Sequence, residues 1–364
     1  MQDIQITTLT KDTLKEALDQ NLYWKENNKV VPFSKKKAHW LLQNERIESN
    51  DVCAILAYQN DTLIAFIFLV PDYIQTQQGL EKIFWSTRWW VHSKYENSVL
   101  STYTKKLSLD AVKSKVLIKH IDINTLEYYK KQSFKEFAKR DKYIFVFSLD
   151  YNLIVNKISS LRTVAPLLKI VTKLSYAAVA SVNKLKLNKF SKKLTYQYFD
   201  TLDSSAWDFI KKHCENDLIP KSKAYINWQI DNQQYLKTSA TNKAPYKCLL
   251  SSVSHNIYNS NFLVVKENKK IGFISALIRA DEFVLRYFLC KKEDYDLCLT
   301  AVMHHFIKSK CTYILTDNTD LGKQIQKQYI CVYTNKKQQY SLAHHAINYN
   351  FTSALIQDQD GNFS

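Results

Sequence analysis

The alternation of apolar and polar residues divides the chain into two stretches with the same order of elements. In residues 1–150 it predicts strands at 4–9, 52–58, 63–70, 82–92, 116–121 and 142–149, with helices at 10–18, 97–112 and 124–131. Residues 195–364 repeat this order more weakly, with strands at 195–199, 261–266, 271–279, 283–290 and 311–316 and helices at 204–214 and 295–308. The order predicts an α/β (α+β) fold with two tandem lobes, each a mixed, mostly antiparallel sheet flanked by helices.

Residues 151–194 differ from both stretches and are predicted to be a basic helical bridge between lobes at 1–150 and 195–364. They contain nine Lys and Arg residues and no Asp or Glu. Their apolar residues recur every three or four positions, and Pro166 fits the first turn of a second helix. Such a segment can pack between the lobes as an ordinary helical bridge, or it can lie on an anionic membrane surface.

Composition narrows the class of protein. The 364 residues are 46% hydrophobic, and 51 Lys and Arg against 34 Asp and Glu give a formal charge of +17, which favours an anionic partner. The basic clusters are dispersed, so a nucleic-acid partner is not favoured. Seven cysteines without a CxxC pair or zinc-ligand spacing predict reduced thiols in a cytoplasmic protein and no metal site. The best apolar run, Val52 to Val70, is interrupted at 59–61, so no bilayer-crossing segment is expected.

The most specific motif is Asn-Thr-Leu-Glu-Tyr-Tyr-Lys-Lys-Gln-Ser-Phe at 124–134. It resembles the Asn-x-x-Ala-x-x-Leu-Tyr-x-Lys-x-Gly-Phe segment of the GNAT N-acyltransferase superfamily, with Tyr129 five residues before Phe134 and Ser133 in place of the usual glycine. The segments at 86–91, 227–228 and 357–364 also look like those of a group of two-lobed bacterial GNAT-like proteins. The resemblance implies transfer of an acyl group from acetyl-CoA or another acyl-CoA to an amine.

The resemblance assigns roles to particular residues of the first lobe. Tyr129 corresponds to the tyrosine that protonates the departing thiolate. The loop at 92–98 precedes a helix whose N-terminus would bind the CoA diphosphate. The predicted cofactor-binding residues are Trp90, Val91, Ser93, Lys94, Asn97, Ser98 and Asn124. Neither this loop nor its counterpart at 291–296 contains glycine, and the counterpart carries three acids, so the first lobe is the better candidate.

The acceptor is expected between the lobes, near Trp85 and Arg88, where Arg88 can hold a carboxylate or phosphate. The basic bridge suggests a small-molecule or lipid-linked amine, such as a surface-polysaccharide precursor, at the inner face of the membrane. Two alternatives stay open. The strand at 82–91 has no Asp or Glu to act as a base, and the loops lack glycine, which favours a catalytically degenerate binding or scaffold protein. Tyr129 can also be a packing residue of an amphipathic helix.

Overall fold

The structure, a computed structural model, describes residues 4–25, 28–96, 98–149, 151, 154–155, 158–188, 193–239, 246–250, 252–351 and 355–363. The first half comprises β1 (Ile4–Thr10), α1 (Lys11–Asp19), β2 (Val30–Val31), α2 (Lys35–Leu42), β3 (Val52–Gln59), β4 (Thr62–Thr76), β5 (Gly79–Val91), α3 (Val99–Ala111), β6 (Val116–Ile121), α4 (Ile123–Lys131) and β7 (Phe134–Val146). A long helix, α5 (Ala165–Asn188), follows.

The second half repeats this order around three short additional strands. It comprises β8 (Leu194–Tyr198), α6 (Ser204–His213), α7 (Lys223–Ile230), β9 (Leu236–Lys237), β10 (Lys247–Cys248), β11 (Val253–Ser254), β12 (Ile257–Lys266), β13 (Lys269–Arg279), β14 (Glu282–Cys290), α8 (Tyr295–Ser309), β15 (Tyr313–Thr316), α9 (Thr319–Gln328) and β16 (Tyr333–His344). The mixed α/β class predicted from the sequence is confirmed. The predicted β3–β4 hairpin also forms, because Asn60 and Asp61 adopt the positive φ angles (48° and 59°) that a tight two-residue turn requires.

The two halves share one sheet because each contributes its last strand to the other. The 12 strands run in the order β1-β3-β4-β5-β6-β16-β7-β15-β14-β13-β12-β8. Strand β16 of the second half pairs with β6, and β7 of the first half pairs with β15. The two exchanged strands pair with each other along their whole length, from Phe134 opposite His344 to Val146 opposite Tyr333. The predicted boundary at residue 150 therefore does not separate two sheets.

The sheet opens at equivalent points in the two halves. Parallel strands β5 and β6 pair only at Phe84 and Trp85, and the next part of β5 contains one extra residue, Thr87, opposite β4. In the second half β14 and β15 pair in parallel only through Glu282–Val284, and Arg286 is the extra residue. Each bulge bends its strand just where the parallel neighbour diverges, so a wedge forms between the two strands.

Two apolar layers cover the first half of the sheet. Helices α3 and α4 lie over one face, and α1, α2 and α7 lie over the opposite face. In this second layer the Trp40 and Trp228 rings stack with centroids 4.2 Å apart. Each indole N–H donates to the other residue's backbone carbonyl, at 2.6 and 2.7 Å. This reciprocal contact joins α2 of one half to α7 of the other.

The C-terminal segment 355–363 lies on the α1–α2 side and fills the space in which the sequence placed the acceptor. Lys119 Nζ donates to the backbone carbonyls of residues 357 and 358, at 3.1 and 2.6 Å, and Arg286 donates to that of residue 362, at 3.0 Å. The placement of the acceptor beside Trp85 is therefore wrong in this structure. Trp85 is fully buried beneath Gly361, and its indole donates to the buried carboxylate of Asp72 at 3.0 Å.

Helix α5 is continuous from Ala165, with Pro166 in its first turn as predicted. It packs on the second half, where Asn183 exchanges two hydrogen bonds with the backbone of Ile330, at 2.8 and 3.0 Å. Within the described residues, its span Ala165–Leu187 is the one helical stretch long and apolar enough to cross a membrane by length and composition. Interspersed lysines and hydroxyl residues leave no unbroken apolar run in this helix, which is why the sequence predicted a helix here but no bilayer-crossing segment.

Candidate active site

The wedge between β5 and β6 contains a cavity of about 410 Å³, here called the β5–β6 cleft. Strand β5, strand β6 and helix α4 supply its walls, so it lies on the α3–α4 face of the sheet. Its lining residues are Ser86, Thr87, Arg88, Trp89, Ile118, His120, Ile121, Thr125, Tyr128 and Tyr129. Of the ten residues predicted for the site, the cleft lining includes Tyr129 and Arg88.

Helix α4 carries Tyr129 to the cleft. The helix begins at Asp122, whose side chain accepts a hydrogen bond from the backbone N–H of Thr125 at 3.0 Å and so caps the first turn. Tyr129 is 6% exposed, and the rings of Tyr128 and Phe134 each meet it edge-on with centroids 5.4 Å away. Burial raises the pKa of Tyr129 above its ordinary value. Its hydroxyl is therefore protonated at neutral pH and available as a hydrogen-bond donor.

Two polar atoms of the cleft wall have no hydrogen-bond partner within the described part of the chain. They are the hydroxyl oxygen of Thr87 and the indole nitrogen of Trp89, both inaccessible to solvent. Buried polar atoms are almost always paired, because an unpaired one costs about 1–3 kcal/mol. Both residues belong to the bulged part of β5, beyond the last residue paired with β6. A ligand in the cleft could satisfy them.

Lys105 of α3 lies behind the cleft and was not predicted as a site residue. It is 3% exposed, its ammonium group is 3.4 Å from the hydroxyl of Ser86, and it lies 5.3 to 5.9 Å from the ring centroids of Trp89, Tyr129 and Phe134. Desolvation lowers the pKa of Lys105 to about 7. A group that titrates near neutrality therefore stands beside the proposed acid.

The buried residues of α3 are mostly polar: besides Leu100 they are Thr104, Lys105 and Ser108, whereas the apolar pattern predicted an apolar face. Val99 and Tyr103 are 82% and 51% exposed, whereas Thr104, Lys105 and Ser108 are buried. The Thr104 hydroxyl donates to the carbonyl of Leu100 at 2.9 Å, and that of Ser108 to the carbonyl of Lys105 at 2.7 Å. The hydroxyls satisfy themselves within the helix, so their burial costs little. The corresponding helix of the second half, α8, buries mainly apolar residues.

Arg88 and His120 complete the polar lining. Arg88 is exposed at the mouth of the cleft, where it can meet an anionic group. His120 is held by Gln339 of β16, with Nδ1 2.8 Å from Oε1, and its Nε2 is 3.4 Å from Asp317. Burial lowers the pKa of His120, so its imidazole is neutral at neutral pH. Because Gln339 and Asp317 belong to the second half, both halves shape the cleft.

The predicted diphosphate loop does lie at the N-terminus of α3, but its backbone is engaged within the loop. The amides of Lys94, Tyr95, Glu96 and Ser98 donate to His92 Nδ1, His92 O, Ser93 O and Tyr95 O. The Ser98 side chain caps α3 by accepting from the amide of Leu100 at 3.3 Å. The side chains of Ser93 and Lys94 are exposed, and Asn97 lies outside the described residues.

The other predicted residues lie away from the cleft. Trp90 packs in the opposite apolar layer, against residues of the α1–α2 side. Val91 packs beside Leu100 at the start of α3. Asn124 is exposed in the first turn of α4 and is not part of the cleft lining, which includes its neighbour Thr125. The reason is the strand and helix periodicity, which sends adjacent side chains in different directions.

No family model and no curated protein matches this sequence. Among solved structures, a GCN5-related N-acetyltransferase from Anabaena variabilis matches it at 7% identity and a TM-score of 0.45, over 93% of this chain and 72% of that one. A GCN5-related N-acetyltransferase from Kribbella flavida matches at 9% identity and a TM-score of 0.44, over 93% of this chain and 70% of that one. The GCN5-related glucosamine N-acetyltransferase region of a fungal multi-domain GH3 β-N-acetylglucosaminidase matches at 10% identity and a TM-score of 0.47, over 94% of this chain and 38% of that one.

In each half the predicted strands and helices occur in the predicted order. Identities of 10% or less with TM-scores below 0.5 establish neither a family nor a substrate for this chain. Its chemistry must therefore be argued from the β5–β6 cleft itself.

Proposed function

We propose that the β5–β6 cleft binds an acyl thioester and that the protein transfers the acyl group to an amine. One observation supports this most strongly. The opening of the sheet at Thr87 leaves a cavity lined by Thr87, Trp89 and the buried Tyr129, and the buried atoms Thr87 Oγ1 and Trp89 Nε1 have no hydrogen-bond partner within the described residues. Unpaired donors next to a protonated acid match a reaction in which an oxygen gains negative charge and a leaving group takes up a proton.

In the proposed reaction the acceptor nitrogen attacks the thioester carbonyl carbon. A C–N bond forms, the C–S bond breaks, and the thiolate takes the proton of the Tyr129 hydroxyl. The attacking amine releases its own proton to solvent, because the described lining of the cleft includes no Asp or Glu and the pKa of His120 is lowered. Tyr129 then recovers a proton from water.

We propose acetyl-CoA or another acyl-CoA as the donor. The diphosphate would approach the N-terminus of α3, where Ser93, Lys94, Asn97 and Ser98 precede the helix and its dipole favours an anion. Lys94 is exposed and supplies a cation there. A bound diphosphate would replace some of the hydrogen bonds now made within the loop.

For the acceptor we propose an amine that carries a carboxylate or phosphate, such as a lipid-linked or surface-polysaccharide precursor at the inner face of the membrane. Arg88 supports the anionic group, because its exposed guanidinium lies at the mouth of the cleft. The basic, apolar helix α5 supports the membrane location. The acceptor must reach the cleft past the α3–α4 side, since segment 355–363 occupies the other side.

The test measures acetyl-CoA binding by calorimetry and CoA release with a thiol reagent in the presence of amino sugars, polyamines and amino acids. Wild-type protein is expected to bind acetyl-CoA and to release CoA with at least one amine. Tyr129→Phe should keep the same affinity and lose about 100-fold in kcat, the usual contribution of a general acid. Tyr103→Phe, an exposed tyrosine of α3, is the matched control. Absence of acetyl-CoA binding would overturn the proposal.

A second candidate function is a binding protein that has lost catalysis. The internally bonded loop before α3 and the absence of a carboxylate from the described cleft lining favour it. The two functions give different results in the same assay. A binding protein would bind acetyl-CoA, or a fragment of it, and neither wild type nor Tyr129→Phe would release CoA.

A further inference from the structure

Helix α5 is attached to the protein along one side. Among its described side chains, Thr172, Asn183 and Leu187 are buried against the body. Asn183 is bonded to the backbone of Ile330 through both its amide nitrogen and its oxygen, and Lys186 donates to the carbonyl of Gln328 at 3.0 Å. These contacts fix which face of the helix is turned inward and which outward.

The outward face of α5 is apolar and uncovered. Its members share high exposure: Leu167 61%, Ile170 56%, Val171 52%, Leu174 64%, Val182 39% and Leu185 70%. At 1.5 Å per residue this face extends about 27 Å from Leu167 to Leu185. An apolar surface of this length on one helix marks an interaction site, because single exposed apolar residues are ordinary and a continuous row is not.

The charges around this face identify its partner. At 100° per residue, Lys173 and Lys184 fall between the buried face and the apolar face, where their stems can lie along apolar surface and their ammonium groups can reach an interface. Lys169 lies in line with Leu187 but is exposed in the N-terminal part of the helix. Residues 151–194 contain no acid. A second copy docking through the same face would bring lysines toward lysines without a carboxylate from this segment to pair them. An anionic lipid surface has the complementary charge.

We propose that α5 docks the protein onto an anionic phospholipid bilayer, with Leu167, Leu174 and Leu185 in the acyl region and the flanking lysines among the headgroups. The helix lies in the plane of the interface, because Asn183 and Leu187 hold it along the protein body over its C-terminal turns. A cavity of about 670 Å³ beside Leu185, Leu297 and Tyr329 is large enough to admit part of a lipid chain. This inference is independent of the reaction proposed for the cleft.

The test is sedimentation of the full chain with vesicles of pure phosphatidylcholine or of phosphatidylcholine containing phosphatidylserine. Wild-type protein should sediment with the anionic vesicles and bind them more weakly as salt rises. The variant L167Q/L174Q/L185Q should bind about 100-fold more weakly, since three apolar side chains no longer enter the bilayer. The matched control I4Q/L22Q/L80Q changes three residues that are 40%, 41% and 61% exposed elsewhere and should bind like wild type.

A charge variant separates lipid charge from apolar contact. K169Q/K173Q/K184Q should lose the preference for phosphatidylserine, with about 10- to 100-fold weaker binding to anionic vesicles. Equal sedimentation of wild type and L167Q/L174Q/L185Q would overturn the proposal. The proposal would also be overturned if wild type did not bind vesicles, formed a dimer without lipid in analytical ultracentrifugation, and L167Q/L174Q/L185Q were a monomer. The face would then join two copies of the chain.

Discussion

Replacement of Lys105 by Met should stabilise the protein, and by an amount that depends on pH. The side chain of Lys105 is 3% exposed, and its one hydrogen bond in the described structure goes to Ser86. Desolvation lowers its pKa to about 7 in the folded state, whereas an unfolded lysine titrates near pH 10.4. Met has similar length and no charge, so Lys105→Met removes the cost of burying the ammonium group with little change in packing.

The sign and the size follow from proton binding. Below pH 7 both states are protonated, and the folded protein bears the full cost of the buried charge, about 5 kcal/mol from the difference between the two pKa values. Between pH 7 and 10.4 the unfolded state binds one proton more than the folded state, so wild-type stability rises by about 1.4 kcal/mol per pH unit. The advantage of Lys105→Met should therefore be largest at pH 6 and shrink steadily toward pH 10.

Urea unfolding followed by tryptophan fluorescence, repeated from pH 6 to 9.5, measures this difference. The quantity compared is the difference in free energy of unfolding between Lys105→Met and wild type, here called the gap. Titratable groups common to both proteins cancel in it, so its change with pH reports Lys105 alone. Lys106→Met is the matched control, because Lys106 is exposed on the same helix and its replacement removes no buried charge. A gap for Lys105→Met that stays constant over the whole range would refute the reasoning, since the amine would then titrate alike in both states.

Two further substitutions test the packing that joins the halves. Gly361→Val should lower the free energy of unfolding, measured by urea titration, by about 2–3 kcal/mol. A Cβ at this position, where φ is +68°, would come within 2.6 Å of the Trp85 ring. Equal stability of variant and wild type would mean that segment 355–363 does not pack on Trp85. Trp228→Phe should lower the free energy of unfolding by about 3 kcal/mol, because it loses the hydrogen bond to the Trp40 carbonyl and the indole stack. Trp207→Phe is the control and should lower it much less, since Trp207 is half-buried on α6.

The local fold was predictable from the sequence where the pattern is strong. The β3–β4 and β12–β13 hairpins form as expected, because buried β-branched and aromatic runs flank short polar turns. Strand β16 was missed, since Asn-Lys-Lys-Gln-Gln at 335–339 looks like a solvated loop. It is nevertheless a central strand, and its ladder with β7 sets polar residues opposite polar residues, as in Gln338 opposite Asp141. Lys336 reaches the same carboxylate diagonally, with Nζ 2.9 Å from Oδ2. Local composition could not reveal that long-range pairing.

The candidate site was predictable in part. The sequence singled out Tyr129 and Arg88, and both line the β5–β6 cleft, while their roles stay predictions. The bulge at Thr87 and the burial of Lys105 were not predictable, because a bulge depends on the register with the neighbouring strand and the apolar pattern of α3 indicates the wrong face. The burial of segment 355–363 depends on cations from three separate parts of the chain, which no local pattern brings together.

The central claim, that the β5–β6 cleft binds an acyl thioester, is tested most directly by calorimetric titration of acetyl-CoA into a pair of variants. Thr125→Trp places an indole in the cleft from an exposed turn of α4, and Glu127→Trp places the same indole on an exposed site of that helix outside the lining. The account predicts that wild type and Glu127→Trp bind acetyl-CoA alike and that Thr125→Trp loses the heat of binding. Equal binding by all three proteins, or binding by none, would contradict it.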